Sequence, residues 1–177
     1  QTLGEPLHAS PVIKALFEDI GVDLARFDTA FDQDFYKRHN LGAVTYFNAE
    51  TYGQDTLVKH PFCNYYNYIE GLPGAQVSDA AAVAQTPLSD TGKQQLLRVL
   101  KGGLHKLPVP ETERETYSQT HAYFDYLKNT LGVTDPQVLH MARNSGLDWS
   151  NSGTELLTIA EAKECGALGF APVPVYD

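Results

Sequence analysis

Thr86-Pro87-Leu88-Ser89-Asp90-Thr91-Gly92-Lys93-Gln94-Gln95-Leu96-Leu97-Arg98-Val99-Leu100-Lys101-Gly102-Gly103 is a whole helix written in local chemistry. Ser89 or Asp90 supplies a side-chain oxygen for the unpaired N–H groups of the first turn. Leu96, Leu97, Val99 and Leu100 recur at helical spacing and are expected to face inward. Gly102-Gly103 stops the run.

The same signals recur along the chain. Ser10-Pro11 joins an N-cap to a proline at the first helical position. Val12, Ile13, Leu16, Phe17 and Ile20 follow at helical spacing, and Gly21 closes the helix in a left-handed cap. A short turn runs through Leu24, Ala25 and Phe27. Residues 78–85 form a short helix. A helical stretch starting near Glu111 or Ser118 carries Tyr123, Phe124, Tyr126, Leu127 and Leu131 to Gly132. Thr134-Asp135-Pro136 starts another, through Val138, Leu139 and Met141 to Gly146. Thr158 starts the last, with Ile159, Ala162 and Cys165, closing near Gly166 or Gly169.

One segment breaks the helical period. Ala43-Val44-Thr45-Tyr46-Phe47 and Thr56-Leu57-Val58-Lys59 are β-branched or aromatic, and residues 48–55 between them are turn-like. This reads as a hairpin with a long loop, ended by His60-Pro61. Residues 62–74, with Tyr65, Tyr66 and Tyr68, read as a loop anchored by buried rings, and 107–110 as an extended connector. The fold class expected is mainly α with a small β-hairpin (α+β), as one domain over 1–177.

Composition narrows the function. Apolar content of 42% and charged content of 20% suit a globular chain. A formal charge of −9 argues against nucleic acid and would attract a cationic ligand. It equally suits an ordinary acidic surface. No apolar stretch is long enough to span a membrane. Cys63 and Cys165 belong to no CxxC pattern, so they read as buried thiols; a disulfide between them is left open. The six histidines, His8, His39, His60, His105, His121 and His140, include no pair at i, i+3 or i, i+4. No helical metal site is expected, and each reads as a satisfied surface or capping group.

Catalytic motifs are missing. There is no GxGxxG, no P-loop and no GxSxG. Asn144-Ser145-Gly146 and Asn151-Ser152-Gly153 are better explained as turns. Asp28, Asp32 and Asp34 read as a solvated face, and Glu111, Glu113 and Glu115 as a solvated helix start. Asp148-Trp149 pairs a carboxylate with the chain's one Trp. An ammonium ligand uses such a pair, through cation–π attraction and a charge-assisted hydrogen bond. Spacing alone favours a capping Asp and a core Trp.

The segment Leu16-Phe17-Glu18-Asp19-Ile20-Gly21-Val22-Asp23-Leu24-Ala25-Arg26-Phe27 resembles a stretch of bacterial flavin-dependent spermidine dehydrogenase-like proteins, in the FAD-dependent amine oxidase superfamily. So do Asp34-Phe35-Tyr36, Ala43-Val44-Thr45-Tyr46-Phe47 and Tyr52-Gly53-Gln54-Asp55-Thr56-Leu57-Val58, the helix start Pro87-Leu88-Ser89, and residues 123–169. The resemblance runs through nearly the whole chain as overall texture.

It implies an internal, substrate-side portion of a polyamine dehydrogenase, in which FAD accepts hydride from the amine and the FAD-binding Rossmann portion is absent from this chain. The start on Gln1, without Met, would fall just past a flavin-contacting element, so Gln1 and Thr2 would lie near the flavin. Asp148 and Trp149, then Glu155 and Glu161, are the candidates for holding a cationic polyamine. Tyr65, Tyr66 and Tyr68 follow them. The partner implied is the remaining flavin-binding part of the same protein. A haem finds no CxxCH motif. The chain alone is expected to be inactive. The other reading is a stand-alone helical binding or interaction module with no redox role.

Overall fold

The computed structural model describes residues 9–30, 32, 34–63, 77–145 and 153–170. Ser10 caps α1 (Pro11–Asp19) by accepting the Ile13 N–H, and Pro11 opens the helix. The helix closes through Gly21, whose φ of 75° permits paired bonds from Gly21 N to Glu18 O and from Val22 N to Phe17 O. A 3-10 turn, Leu24–Asp28, and the short α2 (Phe35–Arg38) follow.

The hairpin is present. Strands β1 (Thr45–Phe47) and β2 (Thr56–Val58) pair antiparallel, with Tyr46 opposite Leu57. Their loop contains the short helix α3 (Ala49–Tyr52), which Asn48 caps. On one face of the pair, Phe47 and Val58 point into the core.

The helical body follows. Helix α4 (Asp79–Gln85) is capped by Ser78 and α5 (Asp90–Leu100) by Ser89. Helix α6 (Arg114–Thr120) leads to α7 (Tyr123–Asp125) and a π-helical turn, Tyr126–Thr130. Asp135 caps α8 (Pro136–Asn144) by accepting the N–H groups of Gln137 and Val138. Thr158 and Glu161 form a reciprocal capping box at the start of α9 (Ile159–Glu164).

The body buries one core. Leu96 and Val99 of α5, Tyr123 and Leu127, Val133, Val138 and Ala142 of α8, Ile159 and Ala162 of α9, and Leu168 are all essentially inaccessible. Several buried polar groups are paired within it. The Tyr123 hydroxyl donates to Leu168 O at 2.5 Å. Gln95 accepts the N–H groups of Thr134 and Asp135, both at 2.8 Å, and so fixes the approach to α8. Gly102 is needed for close approach: a Cβ there would stand 2.7 Å from Val99 O and 2.9 Å from the Tyr126 hydroxyl.

A local expectation needs correction. The long helix expected to reach Gly132 breaks at His121. There Tyr123 N donates to Leu157 O and Ile159 N donates to His121 O, so the backbone joins a β-bridge, Ala122 to Thr158. Helix α1 forms where expected, and its apolar side faces solvent, with Val12 77% and Ile20 62% exposed. Of the two readings given for His60, surface or capping, the structure bears out capping: it is buried and accepts the Phe62 N–H. Among the described residues no helix is long and apolar enough to cross a membrane.

Candidate functional site

The turn after β2 is constrained and lines a cavity. Phe62 has a φ of 58°, a region that bulky side chains rarely occupy. It is held there by His60, whose Nδ1 accepts the Phe62 N–H at 2.9 Å and whose Nε2 lies 3.1 Å from the Asp79 carboxylate. This pairing requires the tautomer with hydrogen on Nε2. The Thr45 hydroxyl also donates to His60 O, at 2.7 Å, tying the turn to β1.

A cavity of about 380 Å³ opens against this turn. One wall comes from the hairpin and α3, with Tyr46, Phe47, Asn48 and Tyr52. A second is the turn itself, Pro61, Phe62 and Cys63. A third is the last part of α8, with His140, Met141, Asn144 and Ser145, and Leu168 completes it. Such a volume accommodates a small organic ligand.

The rings form a connected series. Phe62 meets Phe47 edge-on at 6.1 Å between centroids, Phe47 meets Tyr52 at 4.9 Å, and Tyr52 meets His140 at 6.1 Å. Burial pushes the Tyr52 phenol up to about 12. The Tyr46 hydroxyl donates to Asp55 at 2.6 Å, which raises that phenol and lowers the carboxyl. On α8, His140 Nε2 lies 2.9 Å from the Asn144 amide nitrogen, so the imidazole accepts there. None of the described lining residues carries a fixed charge.

The acids proposed from sequence are distributed differently. Glu155 pairs with Arg143 at 2.7 Å and does not line the cavity. Glu161 accepts from the N–H and hydroxyl of Thr158, which lowers its carboxyl, and is also outside the cavity wall. Asp148, Trp149, Tyr65, Tyr66, Tyr68, Gln1 and Thr2 lie outside the described residues. Sequence reasoning did not select His140 or Tyr52. Their spacing gives no sign of it, because they meet only when α8 packs beside α3, where Gln137 donates to Thr51 O.

Among the described residues no cluster of His, Cys, Asp and Glu could hold a metal ion. Dinucleotide cradles need a strand, a glycine-rich turn and a helix in a parallel unit. Here the described strands pair antiparallel, and Gly103 is bonded to the Tyr126 hydroxyl. No such unit occurs among the described residues. The chain matches no model of a known protein family and no curated protein.

Proposed function

We propose that this chain is the amine-binding, substrate-side part of a flavin-dependent polyamine dehydrogenase, with the flavin held by other parts of the protein. The observation that carries the binding half is the aromatic cavity at the end of α8. Its phenol and phenyl rings offer electron-rich faces to a cation. The last turn of α8 forms one wall, and a helix C-terminus carries partial negative charge that favours an ammonium group. The net charge of −9 adds a long-range attraction of the same sign. The resemblance carried by residues 16–27, 34–36, 43–47, 52–58, 87–89 and 123–169 supplies the redox half. It implies that the remote ammonium groups of the substrate are held here while the reacting carbon is oxidised elsewhere.

Two measurements test the two halves. Calorimetric titration of the chain with spermidine should show saturable binding that weakens roughly five- to tenfold in Tyr52→Ala. Equal binding by Asp148→Ala would remove Asp148 from the proposal. For the redox half, the intact protein containing this chain should absorb visible blue light and lose that band when spermidine is added anaerobically. A colourless intact protein would end the dehydrogenase reading.

A further inference from the structure

Four titratable residues line the described cavity: Tyr46, Tyr52, Cys63 and His140. Three are poor acceptors for an ammonium N–H. The phenol oxygens of Tyr46 and Tyr52 are weak bases because their lone pairs are delocalised into the rings, and Tyr46 gives its proton to Asp55. Tyr52 stays protonated far above neutrality, as a phenol held in a half-buried position. A thiol is a weak acceptor. His140 differs. Its Nε2 already accepts from the exposed side-chain amide of Asn144, one turn along α8. A ligand N–H can replace that amide without leaving a buried group unpaired, because the Asn144 amide returns to water.

Resting on the amine reading above, we propose that neutral His140 is the hydrogen-bond acceptor for the ammonium group of a bound primary alkylamine. Proton and ligand then compete for one lone pair. The imidazolium has no acceptor and repels the cation. Neighbouring charges do not occupy His140 instead. Tyr52 faces it from α3, and on α8 the Arg143 guanidinium is held by Glu155 of the adjoining 3-10 turn, Thr154–Leu156. On α5, which packs against α8, Lys93 and Arg98 donate to Ala84 O and Leu131 O, and Asp90 sits in the first turn.

The test is calorimetric titration of the chain with butylamine and with tetramethylammonium at a series of pH values from about 5 to 8. For the unaltered chain, butylamine binding should weaken towards acid by up to about tenfold per pH unit, the signature of one linked proton. His140→Gln keeps an acceptor but cannot titrate. Its butylamine binding should be about tenfold weaker at pH 8 and nearly flat with pH. Tetramethylammonium has no N–H to donate, so at pH 8 the same substitution should leave its binding unchanged. His140→Asn serves the same purpose if His140→Gln melts early. An unchanged pH profile in the variant, or equal losses for both ligands, overturns the role of His140 and leaves the amine reading standing. A folded, unaltered chain that binds neither ligand at any pH overturns the amine reading, and this inference with it.

Discussion

The imidazole Nδ1 of His60 accepts the backbone N–H of Phe62 at 2.9 Å, and Phe62 is thereby kept at a φ of 58° with its ring in the core. A left-handed conformation at a bulky residue stands roughly 1 kcal/mol or more above the ordinary regions and persists only where its surroundings impose it. His60→Ala removes the acceptor and leaves the buried N–H unpaired, so a loss of about 3 kcal/mol is expected in urea unfolding. His60→Asn places an amide oxygen near the former Nδ1 and should regain about 1 kcal/mol of that. His60→Gln reaches Asp79 instead and should regain less. Equal stability of the Asn and Gln variants would show that the Phe62 bond is not what His60 contributes.

Gln95 makes a second buried polar device. Its amide oxygen accepts the N–H groups of Thr134 and Asp135, and its amide nitrogen donates to the Thr134 hydroxyl at 3.0 Å. Gln95→Leu preserves volume but orphans both N–H groups, so a loss of about 3 kcal/mol is expected in thermal or urea denaturation. Gln95→Glu keeps an acceptor and should lose less than half as much. A Leu variant as stable as the parent would mean that water replaces the amide.

These two residues mark the boundary of what the sequence makes legible. The caps at Ser10, Ser89, Asp135 and Thr158 are readable because donor and acceptor lie within three residues of each other. The hairpin is readable because its period and its turn residues are local. Gln95 is not, since a polar residue on a helix ordinarily faces water and only α8 turns it into a core acceptor. The break at His121 depends on residues 157–159, far along the chain. The cavity depends on three distant segments meeting. The acids favoured from sequence are attractive for their charge. Yet Glu155 and Glu161 are taken up by Arg143 and Thr158, which spacing reveals only for the capping box.

Glu161 gives that box a pH signature. The backbone N–H and the hydroxyl of Thr158 hold its carboxyl below the ordinary value of 4.5. A lowered folded-state pKa means that the unfolded chain binds the proton first. The contribution is therefore present above about pH 4.5 and is lost as pH falls through the folded value. The group is exposed, so solvent screening keeps the effect at a few tenths of a kcal/mol. Glu161→Gln should show a correspondingly flatter decline in stability between about pH 5 and 3. Parallel declines would assign the acid sensitivity elsewhere.

Helix α1 predicts tolerance. Val12, Ile13, Leu16 and Ile20 form its apolar side, and each is at least 41% exposed. Leu16→Gln and Ile20→Gln should therefore shift unfolding free energy by no more than about 0.5 kcal/mol. Leu96→Ala, in a site with no accessibility, should lose about 2–5 kcal/mol. A large loss in the α1 variants would reveal a packing partner for that face in solution.

Tyr52 supplies an alkaline probe of the cavity wall. Burial pushes its phenol up to about 12, against an ordinary value of 10.0. The folded chain therefore holds this proton through a range in which the unfolded chain releases it, and stability falls as pH rises from about 10 to 12. Tyr52 is only half-buried, so solvent screening reduces the effect to about 1 kcal/mol. Tyr52→Phe should lack that loss, and its alkaline absorbance titration should miss a step near 12 rather than near 10. The ring contacts to Phe47 and His140 do not need the hydroxyl, so near-neutral stability should change by less than about 1 kcal/mol. A step missing near 10 instead would mean that water reaches the phenol freely and that burial does not hold its proton.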